Sequence, residues 1–241
     1  MCGAFFCGWM ERKEWKTKMK TTLYLVRHCQ AMGNRNRCFQ GLTDTQISED
    51  GQKQLDLLSV RLRNTIFDAA YSSPLIRARL TAEAMVRFHP VLVRIRPGLV
   101  EINAGEWEGQ SWETIPARWP REARDWNERP WDCCPPGGEP MRQVFARMRA
   151  ALLQIARENP GKTVAVASHG CAIRNAVCWA MGKPIEEIGD CDFADNTGIT
   201  RLEIDENGAP TLLCFNDISH LPEEMIQRRH RPYFVLPEVD A

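Results

Sequence analysis

The stretch TLYLVRHCQ, residues 22–30, decides the fold. Thr22 to Val26 form an unbroken β-prone, largely apolar run, which gives way at once to Arg27 and His28, two residues that no buried strand would continue into. A continuous run suits a strand covered on both faces, and polar groups at its C-terminal end stand where open α/β sheets place their ligands. Working outward, ISEDGQKQLDLLSVRLRN (47–64) reads as an acid-led amphipathic helix with Leu55, Leu58 and Leu62 turned inward. FDAAYSS (67–73) reads as a short strand. Pro74 then breaks the chain, and LIRARLTAEAMVRF (75–88) forms a second helix with Leu80, Ala84 and Met85 on its inner side. VLVRI (91–95) and GLVEI (98–102) read as short strands, residues 140–158 as a helix, and KTVAVAS (162–168) as a buried strand. CAIRNAVCWAMG (171–182) is a helix closed by Gly182. GITRLEI (198–204) and TLLCFN (211–216), joined by the turn signal ENGAP (206–210), make an antiparallel pair. The alternation of strand and helix predicts a three-layer α/β/α sandwich with a mostly parallel central sheet and an antiparallel edge.

The chain has 241 residues, 44% of them hydrophobic and 26% charged, with 31 basic against 31 acidic side chains. A chain of this size and balance is a soluble globular domain able to bury its core without disulfides or a structural metal. Zero formal net charge argues against nucleic acid or an anionic membrane as partner. No apolar run approaches the length of a spanning helix. The ten cysteines are scattered with no CxxC pair, which suits reduced thiols in a cytoplasmic protein better than a metal site, and neither metal nor cofactor is expected. Residues 1–18 lack the features of a signal peptide and precede the first strand, so they are expected to form a disordered extension to a single domain over 19–241, acting as a monomer or homodimer.

Residues 105–140 differ in composition: Trp107, Trp112, Trp119, Trp126 and Trp131 lie among Pro116, Pro120, Pro130, Pro135 and Pro136, with no apolar period. They are expected to form a cap insertion lying over the site; ordinary surface packing of large aromatics is the plainer alternative.

Four separated segments, RHCQ (27–30), SSPLIRA (72–78), EINAGEWEG (101–109) and SHG (168–170), each sit where a strand gives way to a loop or helix. Singly, each has a bland explanation: Arg77 as a solvated helix residue, Glu101 as a surface carboxylate, His169 as a satisfied core histidine. Together, in order, they supply two arginines, two histidines and a glutamate to one sheet edge, and the chemistry that suits this set is phosphoryl transfer through a histidine. Hydrolysis of a phosphate monoester needs about 20 kcal/mol or more of catalysis, mostly by charge stabilisation and in-line positioning. Arg27 and Arg77 offer planar donor forks to the phosphoryl oxygens. His28 can attack phosphorus, His169 can donate to the transferring group, and Glu101 can protonate the leaving alkoxide and later take a proton from water.

From Thr21 to about Leu221 the sequence resembles the phosphoglycerate-mutase-like group of the histidine phosphatase superfamily. LVRHCQ is similar to that family's strand-then-RHG opening, and Asn34 and Gln40-Gly41 to its following N and QG positions. SSPLIRARLTAE, the Glu101 segment with GEWEG, GGEP (137–140) and SHG match further motifs, and FNDISHL (215–221) is similar to a late segment of several phosphatase members. The resemblance implies catalysis by His28, Glu101, Arg27, Arg77 and His169. It implies substrate contacts from Arg27, Asn34, Gln40, Gly41, Arg77, Glu101, His169 and Gly170, with a small phosphorylated metabolite as substrate. The lack of an HYG-type segment after Glu101 favours a phosphatase; a mutase, or a catalytically weak phospho-ligand-binding relative, are the alternatives. Cys29-Gln30 stands where the family usually has Gly-Glu. That exchange removes a charge, which bears on substrate choice, and adds a thiol that is either a buried inert group or an oxidisable thiolate.

Overall fold

The computed structural model describes residues 19–226 and 232–236. The expected extension 1–18 lies outside them. Among the described residues six strands form one sheet: β1 (Thr21–Arg27), β2 (Ala69–Ser72), β3 (Val93–Ile95), β4 (Thr163–Ser168), β5 (Ile199–Ile204) and β6 (Pro210–Asp217), in the order β3-β2-β4-β1-β5-β6. β1, β2, β3 and β4 are parallel, while β5 runs antiparallel to both β1 and β6. The helices are α1 (Met32–Arg35), α2 (Glu49–Leu62), α3 (Ile76–Met85), α4 (Thr114–Arg118), α5 (Pro120–Glu128), α6 (Met141–Glu158) and α7 (Gly170–Ala180). This is the expected mostly parallel α/β sheet with an antiparallel edge, flanked by helices.

The period of two along β4 divides the interior. Val164 and Val166 belong to the larger core, with Leu152, Ile155 and Ile173 of α6 and α7, whereas Ala165 and Ala167 face Ala78 and Ala82 of α3 with Leu58 and Leu62 of α2. Small residues on that second face let α3 lie close to the sheet, which matters because Arg77 is in its first turn. α2 begins where Ser48 accepts the Gly51 N–H at 3.0 Å, with Glu49 and Asp50 in the first turn, as an acid-led N-terminus requires. Leu55, Leu58 and Leu62 are buried as expected, and so are Ala84 and Met85; Leu80 is half-buried.

One expectation fails. GLVEI is not a strand: Pro97–Leu99 make one 3-10 turn, and the carbonyls of Gly98, Val100 and Glu101 are taken by the Arg147 guanidinium of α6 instead of a neighbouring strand. An arginine fork replaces a ladder there, so no β pattern could form. Residues 105–140 contain α4 and α5, and Trp107 and Trp126 are 0% and 1% exposed within the main core. Their aromatic cluster holds Phe39 and Phe234, 5.6 and 5.4 Å from Trp107. Pro120 sits at the start of α5, where its missing N–H costs nothing. Among the described residues no helix is long and apolar enough to cross a membrane.

Candidate active site

The ends of β1, β4 and β2 lie side by side: Arg27 pairs with Ser168, and Ala167 with Ser72. The residues that leave these three strands must therefore converge. They are His28, His169 and Ser73, with Arg77 in the first turn of α3. The His28 and His169 rings are 5.1 Å apart between centroids. Beside them opens a pocket. Its polar side is formed by Arg27, His28, Arg77 and Glu101, with Asn34, Gln40, Gly41 and Gly170 alongside. Its other side is aromatic: Phe39, Trp112, Trp126 and Phe193.

His28 is buried, and its Nδ1 lies 2.7 Å from the Cys29 carbonyl oxygen. A carbonyl can only accept, so Nδ1 carries the proton and the lone pair is on Nε2. His169 is fully buried behind it and does not line the pocket itself. Burial first, then the charges of Arg77, His28, Arg147 and Arg27, hold its pKa well below the ordinary value, so it is neutral. Its Nε2 is 2.7 Å from the Ser73 hydroxyl, and its buried Nδ1 has no hydrogen-bond partner among the described residues.

Arg77 is 0% exposed. Its NH1 and NH2 donate to the carbonyls of Thr43 and Gly41, both at 2.8 Å, and its Nε has no partner among the described residues. Burial lowers its pKa, and the nearby carboxylates of Glu101, Asp44 and Glu108 oppose that. Gly41 has φ +53°, and a Cβ there would stand 2.4 Å from a Glu108 carboxylate oxygen, so a side chain at this position would be strained and would displace the Glu108 carboxylate. Arg27 donates to the Ala194 carbonyl at 2.6 Å, and its guanidinium packs against Gly170.

Glu101 caps α7. One carboxylate oxygen accepts the Ala172 N–H, also meeting the Ile102 N–H, and the other accepts the Cys171 N–H, at 3.0 to 3.1 Å. These bonds fix its orientation at the pocket wall. The Arg147 NH2 holds its backbone carbonyl at 3.0 Å, and Arg147 is in turn paired with Glu139 of the GGEP segment at 2.7 Å.

The departure at Cys29-Gln30 leaves the pocket untouched. Cys29 is 0% exposed, and burial pushes its thiol up to about 12, overcoming its hydrogen bonds and the Arg77 charge; it is not a reactive thiolate. The Gln30 side chain turns away to accept from Ser48 at 2.5 Å and does not line the pocket. On the aromatic side, Trp112 and Trp126 come from the stretch 105–140 that was expected to lie over the site, whereas sequence reasoning missed Phe39 and Phe193, which no motif announced. It also missed Ser73, Glu108 and Arg147, although the first two sit inside quoted motifs. Glu108 accepts from the Leu42 N–H and the Thr43 hydroxyl at 2.8 and 2.7 Å, bracing the loop whose carbonyls hold Arg77. Among the described residues no group of three His, Cys, Asp or Glu side chains could hold a metal ion.

The histidine phosphatase superfamily (branch 1) pattern matches residues 23–218, which include every one of these polar groups. The chain belongs to that superfamily. Phosphoserine phosphatase 1 of Hydrogenobacter thermophilus is 30% identical over 205 residues, spanning 85% of this chain and 96% of that protein. A 2,3-bisphosphoglycerate-dependent phosphoglycerate mutase of Bartonella henselae is 28% identical, over 86% of this chain and 98% of its own length. In structure, this histidine phosphatase fold is similar to a mutant phosphoserine phosphatase of Entamoeba histolytica in complex with phosphoserine, at 27% identity and TM-score 0.74, covering 84% of this chain and all of that one.

Proposed function

We propose that this protein hydrolyses phosphate monoesters of small metabolites through a phosphohistidine on His28, using side chains alone. The observation that carries the reading is the Nδ1 bond to the Cys29 carbonyl, which sets the lone pair on Nε2 in a pocket shared with Arg27, Arg77 and Glu101. The His28 lone pair forms the N–P bond as the ester P–O bond breaks, and a protonated Glu101 gives its proton to the departing alkoxide. Water then attacks phosphorus, passing a proton to the Glu101 carboxylate while the N–P bond breaks, which releases orthophosphate and restores the starting state. The Arg27 and Arg77 guanidiniums balance the phosphoryl charge. One buried donor without a partner among the described residues, Arg77 Nε, belongs to a residue that lines this pocket; leaving such a group unpaired costs about 1–3 kcal/mol, which a bound phosphoryl group would recover.

Relatives named as phosphatases and as mutases are both similar to this chain. The aromatic half of the pocket favours hydrolysis: beyond Arg27 and Arg77 its described lining has no basic side chain to receive a second phosphate, and Arg118, Arg121 and Arg124 are exposed outside it. Rapid quench with labelled substrate is expected to give an acid-labile, alkali-stable adduct on His28. Full activity in His28→Ala would refute the mechanism.

A further inference from the structure

The backbone of His28 is gripped from both sides. On the β4 side its N–H donates to the Ser168 carbonyl at 2.9 Å. On the β5 side a side chain and a turn N–H hold it: Asn196 Nδ2 donates to the His28 carbonyl at 2.7 Å, and the Thr197 backbone N–H donates to the Arg27 carbonyl at 3.0 Å. Asn196 is 4% exposed and Thr197 fully buried. Thr197 has φ +58°, a left-handed conformation that a β-branched residue adopts only where its surroundings impose it.

Those surroundings come from the end of β6. The Thr197 hydroxyl donates to the Asn196 carbonyl at 2.7 Å and meets the His220 Nε2 at 3.1 Å; with the hydroxyl proton committed, His220 is the donor. Asn216 accepts the Asp195 N–H and donates to the Asp195 carboxylate, both at 2.8 Å. Gly198 makes room for it, since a Cβ there would stand 2.1 Å from the Asn216 side-chain oxygen. The turn 195–198 is therefore moulded by Asn216 and His220 and presents its own groups to Arg27 and His28.

We propose that Asn196 and Thr197, braced by His220, are positioning residues that set the line along which His28 attacks phosphorus. They touch neither the pocket nor the phosphoryl group; they act through the His28 peptide. An in-line displacement is sensitive to such alignment, because a misplacement of about 1 Å can cost about a hundredfold in rate. The inference rests on His28 being the nucleophile.

The test is the split between turnover and binding. In Asn196→Ala, kcat for an alkyl phosphate is expected to fall at least about tenfold, while inhibition by inorganic phosphate changes less than about twofold, since Arg27 and Arg77 stay in place. His220→Leu is expected to lower kcat about fivefold, and His220→Gln, which keeps a donor, to restore most of it at a matched melting temperature. These two variants decide the matter if Asn196→Ala does not fold. A kcat within twofold of wild type in folded Asn196→Ala, or His220→Leu and His220→Gln behaving alike, overturns the proposal and leaves the phosphatase reading intact. A wild-type protein inert toward every monoester overturns both.

Discussion

Glu101 shows how one side chain is given two tasks. Its carboxylate caps α7 through the Cys171 and Ala172 N–H groups and also lines the pocket beside His28. Glu101→Gln keeps an acceptor for the cap and loses the proton. Turnover of an alkyl phosphate is expected to fall about a hundredfold or more, and that of p-nitrophenyl phosphate less than about tenfold, because a good leaving group hardly needs an acid. Equal losses in steady-state kinetics on the two substrates would mark Glu101 as structural. His220 carries a pH signature of its own. Burial lowers its pKa to about 4, with Asp217 opposing and Arg61 adding to the fall, against 6.5 for an ordinary histidine. Between those values the unfolded chain binds the proton more readily than the folded one, so stability is full above pH 6.5 and declines as pH falls toward 4. Buried, neutral His169 acts in the same direction. Thermal melts from pH 7 to 4.5 are expected to show that decline, with a shallower slope in His220→Gln.

At the scale of elements, the site depends on a loop that belongs to no strand or helix. Residues 41–43 hold the Arg77 fork through two carbonyls, and Glu108 holds the loop through the Leu42 N–H and the Thr43 hydroxyl. GEWEG thus serves the phosphate site at one remove: its Trp107 anchors in the core, and its second glutamate sets the loop. Glu108→Ala leaves Arg77 in α3 but frees its carbonyl partners. The expected result is a rise of about tenfold in KM and in the inhibition constant of inorganic phosphate, with a smaller change in kcat. A fall in kcat alone, at unchanged phosphate affinity, would place Glu108 elsewhere in the reaction.

The whole molecule bears on hydrolysis against isomerisation. A mutase must shield its phosphohistidine from water while a doubly acidic intermediate turns over, which calls for further basic groups around the pocket. Here the sheet edge delivers Arg27 and Arg77, while the chain between Gly105 and Phe193 contributes aromatic rings. Release of inorganic phosphate from a panel of phosphorylated metabolites is therefore expected to outpace conversion of 3-phosphoglycerate to 2-phosphoglycerate in the presence of the bisphosphate primer. Faster isomerisation than any phosphate release would reverse the assignment.

Strand β1, the buried strand β4, the amphipathic helix α2 and the antiparallel pair at the edge were all legible in the sequence, because local patterns of apolar residues and turn chemistry dictate them. So were His28, Arg77, Glu101 and His169 as candidates, since each lies in a motif that the sequence displays. Tertiary structure alone decided what depends on partners distant in the chain. GLVEI has strand composition, yet Arg147, some 46 residues on, captures the Glu101 carbonyl at its end. That Trp107 and Trp126 pack into the main core was not legible, because Phe39 and Phe234, which enclose them, are distant in the chain. The turn 195–198 carries no motif, and its hold on His28 exists only because antiparallel pairing of β5 with β1 and β6 brings Asn196 to one side of it and His220 to the other. Propensity and periodicity act over a few residues, whereas an arginine fork, an aromatic cage or a strained turn is specified by side chains that meet only after the sheet has formed.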